Sequence, residues 1–223
     1  MKYSVVMPCL LREDQHRQVV VDTLESVRNN GEESEIIIVD DGSPLLSGFL
    51  RDYADTYIRH KVPQGIAPSW NDGIRVARGE YVVVINDDVL VPRGWLSVLS
   101  NVFSKQACGV SAPARGGFTV APGILTGEPY IDEKFYPGYC FMLKQDRFFE
   151  KFDETFVPYN CEDTDYWWRL KQKNYQMYRA PMEIYHKEGD VIKGLGDYVG
   201  RSKEAVEQFI KKWGFDPQPV FYS

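Results

Sequence analysis

Three short apolar runs constrain this chain most. Tyr3–Met7, Ile36–Val39 and Tyr81–Ile85 are rich in Val and Ile and too short for helices. They stop at Pro8, at Asp40-Asp41-Gly42-Ser43-Pro44 and at Asn86-Asp87-Asp88 respectively. Such runs, closed by turn residues, read as buried strands. Between them the apolar positions change period. Val19, Val20, Leu24 and Val27 recur at helical spacing up to Asn29-Asn30-Gly31. Gly65–Ala77 reads as a helix with Pro68 tolerated in its first turn. Trp95, Leu96, Leu99 and Phe103 mark another helix, and Thr56–Arg59 reads as a further strand. Strands alternating with helices imply βαβ units and an α/β fold with a largely parallel sheet. Ligands of such sheets bind beyond the carboxyl ends of the strands. The polar clusters after the strands are therefore predicted to meet on one rim.

The second half is less regular. Ala112–Pro137, rich in Gly and Pro, is expected to loop over that rim. Tyr139–Leu143 reads as a strand, and Glu162–Lys173 as a helix with acids first and Lys last, as the helix dipole favours. Tyr175–Tyr178 and Ile184–His186 read as short strands, and Ser202–Trp213 as a final helix. No internal repeat or linker divides the 223 residues, so one domain is expected.

Composition excludes several function classes. Lys and Arg total 26 against 32 Asp and Glu, a net charge of −6, and no polybasic run is present. Duplex nucleic acid is a poor fit for that distribution. Cys9, Cys108, Cys140 and Cys161 form no C-x-x-C pair, which argues against a thiolate zinc site and fits reduced cytosolic thiols. No apolar stretch reaches the ~20 residues of a membrane helix. The expected location is cytoplasmic, with a peripheral membrane contact left open.

Three acidic clusters carry candidate chemistry. Asp87 and Asp88 follow a strand, and two adjacent carboxylates can hold Mg²⁺ or Mn²⁺; a solvated turn is the plain alternative. Asp40 and Asp41 form a second acidic turn on the same rim. Glu162-Asp163-Thr164-Asp165 opens a helix, where capping and dipole contacts compete with a general-base role. A helix N-terminus is expected to keep Asp163 ionised. Asp165 and Arg169 are four apart and can pair, which marks Asp165 as structural. His186, one of three histidines with His16 and His60, can pack or complete a metal shell.

Taken in order, these segments resemble the family 2 glycosyltransferases with the GT-A fold. The likeness runs through Tyr3-Ser4-Val5-Val6-Met7-Pro8, Glu35–Ser43, Gly65–Asn71, Ala77–Tyr81 and Ile85-Asn86-Asp87-Asp88-Val89 with Pro92, Gly94, Trp95 and Leu96. It continues through Phe152-Asp153-Glu154, Phe156, Glu162-Asp163-Thr164-Asp165, Arg169-Leu170 and His186. It implies a single GT-A domain: a mixed, mostly parallel sheet flanked by helices. Residues 1–100 would form a nucleotide-sugar-binding half, 101–190 an acceptor and catalytic half, and 191–223 a C-terminal lid and helix. The implied reaction is metal-dependent transfer of a sugar from a nucleotide-diphosphate sugar to an acceptor hydroxyl, with inversion. The acceptor stays open among a saccharide, a lipid-linked glycan, a protein and a modified nucleobase.

By the same resemblance, Pro8 and Leu10 border the nucleotide base, Asp41 hydrogen-bonds it and Asp40 supports that contact. Gly65 and Asn71 line the nucleotide pocket, and Asp87 lies near the ribose. Asp88 and His186 ligate Mn²⁺ or Mg²⁺. Asp163 is the base, with Glu162 its rival. Asn86 replaces the first Asp of the family's D-x-D, and Glu150-Lys151 stands where glycines are common. A non-catalytic nucleotide-sugar-binding module and a sugar nucleotidyltransferase are the alternatives. The four glycines between His186 and Arg201 suggest a lid that orders on the donor.

Overall fold

Alternate residues of the apolar runs enter different cores, which explains why Ser4 is their one polar position. The computed structural model describes residues 1–45, 47–133, 138–147, 150–157, 159–187 and 198–217. From β1 (Tyr3–Cys9), β2 (Glu35–Asp40) and β4 (Tyr81–Ile85), Val5, Met7, Ile36, Ile38, Val83 and Ile85 pack on one sheet face. Val6, Ile37, Val82 and Val84 pack on the other. Helices α1 (Asp14–Arg28) and α4 (Trp95–Asn101) cover the first face through Val20, Leu24, Val27, Trp95, Leu96 and Leu99. Helices α3 (Ile66–Val76) and α5 (Glu162–Gln172) cover the second through Trp70, Ile74, Tyr166, Trp167 and Leu170. A sheet buried on both faces needs apolar residues at every position.

The remaining strands are β3 (Thr56–Arg59), β5 (Val89–Leu90), β6 (Cys108–Gly117), β7 (Gly123–Ile124), β8 (Tyr130–Ile131), β9 (Cys140–Lys144) and β10 (Gln176–His186). A short helix, α2 (Leu50–Tyr53), precedes β3, and α6 (Tyr198–Trp213) follows β10. The sheet order is β3-β2-β1-β4-β9-β6-β10-β5, with β7 and β8 also on β10. Strands β3, β2, β1 and β4 are parallel. Strand β9 is antiparallel to β4 and β6, and β10 is parallel to β6. The second half thus continues the sheet of the first.

Two expectations need correction. Ala112–Pro137 is not a loop throughout, because β6 runs to Gly117 and both β7 and β8 pair with β10. Gly116 there serves close packing: a Cβ on it would lie 2.6 Å from the Tyr139 hydroxyl. The two short strands expected around Tyr178 and Ile184 are one strand, β10. Its register with β6 shifts between Ala180 and Glu183, across Pro181, which has no N–H to give the ladder. Among the described residues no helix is long and apolar enough to cross a membrane. Of the expected lid, residues 188–197 lie outside the described residues.

Candidate active site

Strand register sets one rim. Cys9 stands opposite Asp40 and Val6 opposite Val84, so the chain leaves β1 at Leu10, β2 at Asp41 and β4 at Asn86 on the same edge. Asp40 is wholly buried. It accepts hydrogen bonds from Ser43 N–H at 2.8 Å, Ser47 at 2.5 Å and Tyr57 at 2.6 Å, and from the Arg59 guanidinium. Burial opposes its ionisation, but the donors outweigh burial and hold its carboxyl below the ordinary range. Asp40 thereby braces the turn that presents Asp41.

Asp41 joins two loops. Its Oδ1 accepts from His60 Nδ1 and from Gln64 N–H, both at 2.7 Å, and its Oδ2 accepts from Gly65 N–H at 2.9 Å. A carboxylate offers about four acceptor positions, so one direction on Oδ2 is left. Gly65 caps α3 at φ 105°, ψ −179°, a conformation open to glycine and strained for other residues. Asn71, on α3, is bonded at both ends of its amide. Its amide donates to Phe152 O at 2.9 Å and to Glu154 Oε1 at 2.8 Å, and accepts from Phe152 N–H at 2.9 Å. Those bonds tie α3 to the Phe152-Asp153-Glu154 segment.

At the end of β4, Asn86 N–H donates to Tyr139 O at 2.9 Å. The Asp87 carbonyl takes the Thr23 hydroxyl at 3.0 Å, and its carboxylate lies close to the Leu10 N–H and to Cys9, whose thiol faces Met7 O. Burial, then the charge of Asp88, pushes the Asp87 carboxyl up to about 7. Pro8 is buried beside it in β1, and the Leu10 side chain is half-buried.

Asp88 meets His186 through the sheet. Strand β5 pairs Val89 with His186, and Lys187 N–H donates to Asp88 O at 3.1 Å. Asp88 Oδ1 and His186 Nε2 come within 3.2 Å, yet neither buried atom has hydrogen-bond geometry to any partner. Two orphaned ligand-type atoms at that spacing fit a shared divalent ion, whose adjacent ligands at ~2.1 Å stand about 3.0 Å apart. Among the described residues no third His, Cys, Asp or Glu joins them, so phosphate oxygens and water would complete a shell.

The third cluster sits on the first turn of α5. Glu162, Asp163 and Asp165 are all buried there. Desolvation opposes the helix end, which was expected to keep Asp163 ionised. Burial pushes the Asp163 carboxyl up to about 7 against hydrogen bonds from Thr164 and Gly138, and burial plus the neighbouring Asp163 pushes Glu162 well up. Glu162 Oε2 has no partner. The turn before them is strained, with Asn160 at φ 85° and Cys161 at φ 67°. Asp165 points away into a clamp: Arg169 at 2.9 Å, Lys212 at 2.6 Å and Trp213 Nε1 at 2.8 Å. Its predicted pairing with Arg169 is present.

Gly138 and Tyr139 connect the clusters; the sequence suggests Tyr139 only as a stacking aromatic and passes over Gly138. A Cβ on Gly138 would lie 2.9 Å from Asp163 Oδ2 and 3.0 Å from Trp70. The Tyr139 ring stacks on His186 at 4.5 Å. One two-residue step therefore separates the acidic turn of α5 from the Asp88–His186 pair. The signal available was a glycine directly before a strand at the predicted rim. His60 was likewise passed over, although it follows β3 at that rim.

The family model for glycosyl transferase family 2 matches residues 4–157. The chain belongs to that family. Two solved structures share the fold of this family 2 glycosyltransferase. The crystal structure of GalNAc-T7 with UDP, GalNAc and Mn²⁺ is 15% identical with a TM-score of 0.74, covering 93% of this chain and 48% of that one. TarS 1-349 from S. aureus is 14% identical with a TM-score of 0.63, covering 96% of this chain and 74% of that one. The family 2 chain thus has the GT-A architecture and spans about half of the GalNAc-T7 chain. No curated protein matches it. Glu162, Asp163 and His186 lie beyond the matched residues, so their roles rest on geometry and on the resemblance of motifs.

Proposed function

We propose that this chain transfers a sugar from a nucleotide-diphosphate sugar to an acceptor hydroxyl, with inversion, Asp163 acting as the base. The observation that carries the reading is the Asp88–His186 pair, two buried ligand atoms 3.2 Å apart without hydrogen bonds. The Mn²⁺ and UDP named for GalNAc-T7 support the same classes of metal and donor here.

Each residue then has a task. Leu10, Pro8 and the remaining acceptor direction of Asp41 receive the base, braced by Asp40. Gly65 keeps the pocket wall free of side chain, and Asp87 ties Leu10 to the end of β4 near the ribose. Asp88 and His186 would hold Mn²⁺ or Mg²⁺, which when bound supplies charge neutralisation for the departing diphosphate. Asp163, its carboxyl raised toward neutral pH by burial, acts in its ionised form and accepts the acceptor's proton as the acceptor oxygen bonds to the anomeric carbon and the bond to phosphate breaks. A base with a pKa near the working pH suits that transfer. Single displacement from the face opposite the leaving group inverts the centre.

The test is transfer by the purified chain from a panel of nucleotide sugars to saccharide, lipid-linked and peptide acceptors, with Mn²⁺ or Mg²⁺. Asp88→Ala is expected to abolish the metal response of nucleotide binding while the protein stays folded, and His186→Ala to weaken it. An unchanged metal response in Asp88→Ala would remove the assignment. Nucleotide binding without transfer or donor hydrolysis would favour a non-catalytic module.

A further inference from the structure

His60 follows β3, and its ring is 6% exposed between two carboxylates. Nδ1 lies 2.7 Å from Asp41 Oδ1, and Nε2 lies 3.1 Å from Asp72 Oδ2 on α3. Asp72 Oδ1 in turn takes Arg75 at 3.0 Å. Asp41, His60, Asp72 and Arg75 thus form a chain of alternating charge from β2 to α3. Its own neighbours lead elsewhere: Arg59 turns to Asp40 and Ser43, and Lys61 is exposed. Only an imidazolium donates from both ring nitrogens; a neutral ring would aim a lone pair at one of the two carboxylates. Burial disfavours the charge, but the bonds and charges of Asp41 and Asp72 outweigh it, and the net shift is upward.

The chain ends where the donor pocket is expected. The Asp41 oxygen that takes His60 also takes Gln64 N–H, and the other takes Gly65 N–H. The loops are in contact as well, since a Cβ on Gly42 would lie 2.7 Å from the Val62 carbonyl carbon. His60 is therefore the strut that fixes Asp41 against the entry to α3.

We propose that His60 is a positioning residue for donor binding: its imidazolium holds Asp41 and the Gln64–Gly65 backbone in the shape that takes a nucleobase N–H. Loss of its proton weakens nucleotide binding and leaves the transfer step alone. The inference rests on the reading that Asp41 meets the base. The sign follows from the charge. Binding is tight below the His60 pKa and weakens as pH rises through it.

Two measurements test it. Ring-proton NMR of the full chain is expected to give His60 a midpoint above the ordinary ~6.5, and Asp72→Asn to lower it. Calorimetric titration with UDP, GDP, CDP, ADP and dTDP, each with Mn²⁺, from about pH 6.5 to 9 reads the functional part. The nucleotide that binds is expected to bind about tenfold more weakly to His60→Ala, as for loss of a charge-assisted bond. His60→Asn keeps a donor at the reach of Nδ1, so it is expected to recover most affinity and to lose the alkaline weakening that wild type shows. In Asp72→Asn, whose site is partly exposed and tolerant, that weakening moves to lower pH. Turnover at saturating donor stays near wild type in all three. A His60 midpoint at or below 6.5, or wild-type affinity in His60→Ala, overturns the inference while the proposed function stands. If wild type binds none of the five nucleotides, both fall.

Discussion

Asp163 and Glu162 stand side by side on the first turn of α5, and the exclusion of water decides how they ionise. Folding raises both carboxyls, so the folded state takes up protons that the unfolded chain releases. Their contribution to stability is then most favourable below the unfolded values near 4 and declines as pH rises above them, for Asp163 through about 7. Glu162→Gln is expected to raise the melting temperature at about pH 8, with the gain vanishing near pH 5. Equal gains at both pH values would contradict the burial argument. Transfer runs the other way, because a protonated Asp163 accepts nothing: the rate at subsaturating donor should fall as pH drops below about 7.

Three neighbouring acids separate chemistry from scaffolding. Asp163→Asn is expected to keep donor affinity and lower transfer by about 10²–10⁴-fold, the usual cost of losing a general base. Asp165→Asn removes one carboxylate partner from Arg169 and Lys212, which keep Glu150 and Asp153. It is expected to cost about 2 kcal/mol of stability, measured by denaturant unfolding, with a smaller effect on turnover. Near-normal turnover in a folded Asp163→Asn variant would return the base role to Glu162.

Among the elements, α6 explains how the strained turn before α5 is held. Phe209 and Ala205 pack on Phe156 and Cys161, and Lys212 reaches Asp153 at 2.6 Å as well as Asp165. Trp168 meets Trp213 and Phe215 edge-on. The helix therefore covers the Asn160-Cys161 step, whose positive φ values aim Glu162 and Asp163. Phe209, wholly buried, is the rivet. Phe209→Ala is expected to cost about 3–4 kcal/mol in unfolding free energy and to lower turnover more than donor affinity. An unchanged turnover in the folded variant would separate α6 from the site.

At the scale of the whole molecule, the proposed donor and metal sites draw on both halves of one sheet. Asp88 comes from the first half and His186 from the second, across β5 and β10. Ligand binding should therefore stabilise the entire fold. A nucleotide diphosphate at 100 times its Kd with Mn²⁺ is expected to add about 2.7 kcal/mol, read as a rise in melting temperature. Asp88→Ala should erase the part of that rise that depends on Mn²⁺.

The sequence by itself determined the parallel half of the sheet. Ile36–Val39 and Tyr81–Ile85 are apolar at every position, and only strands buried on both faces require that. It also placed the acidic turns on one rim, because parallel strands with helical crossovers all end on the same side. Asp165 as a partner of Arg169 was legible too, since four residues is one turn of helix. Only the tertiary structure decided the rest. The Gly and Pro content of Ala112–Pro137 resembled a loop because pairing between β6 and β10 is nonlocal and leaves no period. The bonds from Asn71 to Phe152 were not legible either, because the two are 81 residues apart in sequence. Asp163 resembled an ionised helix-cap acid because local sequence carries the dipole. The burial that outweighs it comes from Trp70, Gly138 and the packed second core, which no local window contains.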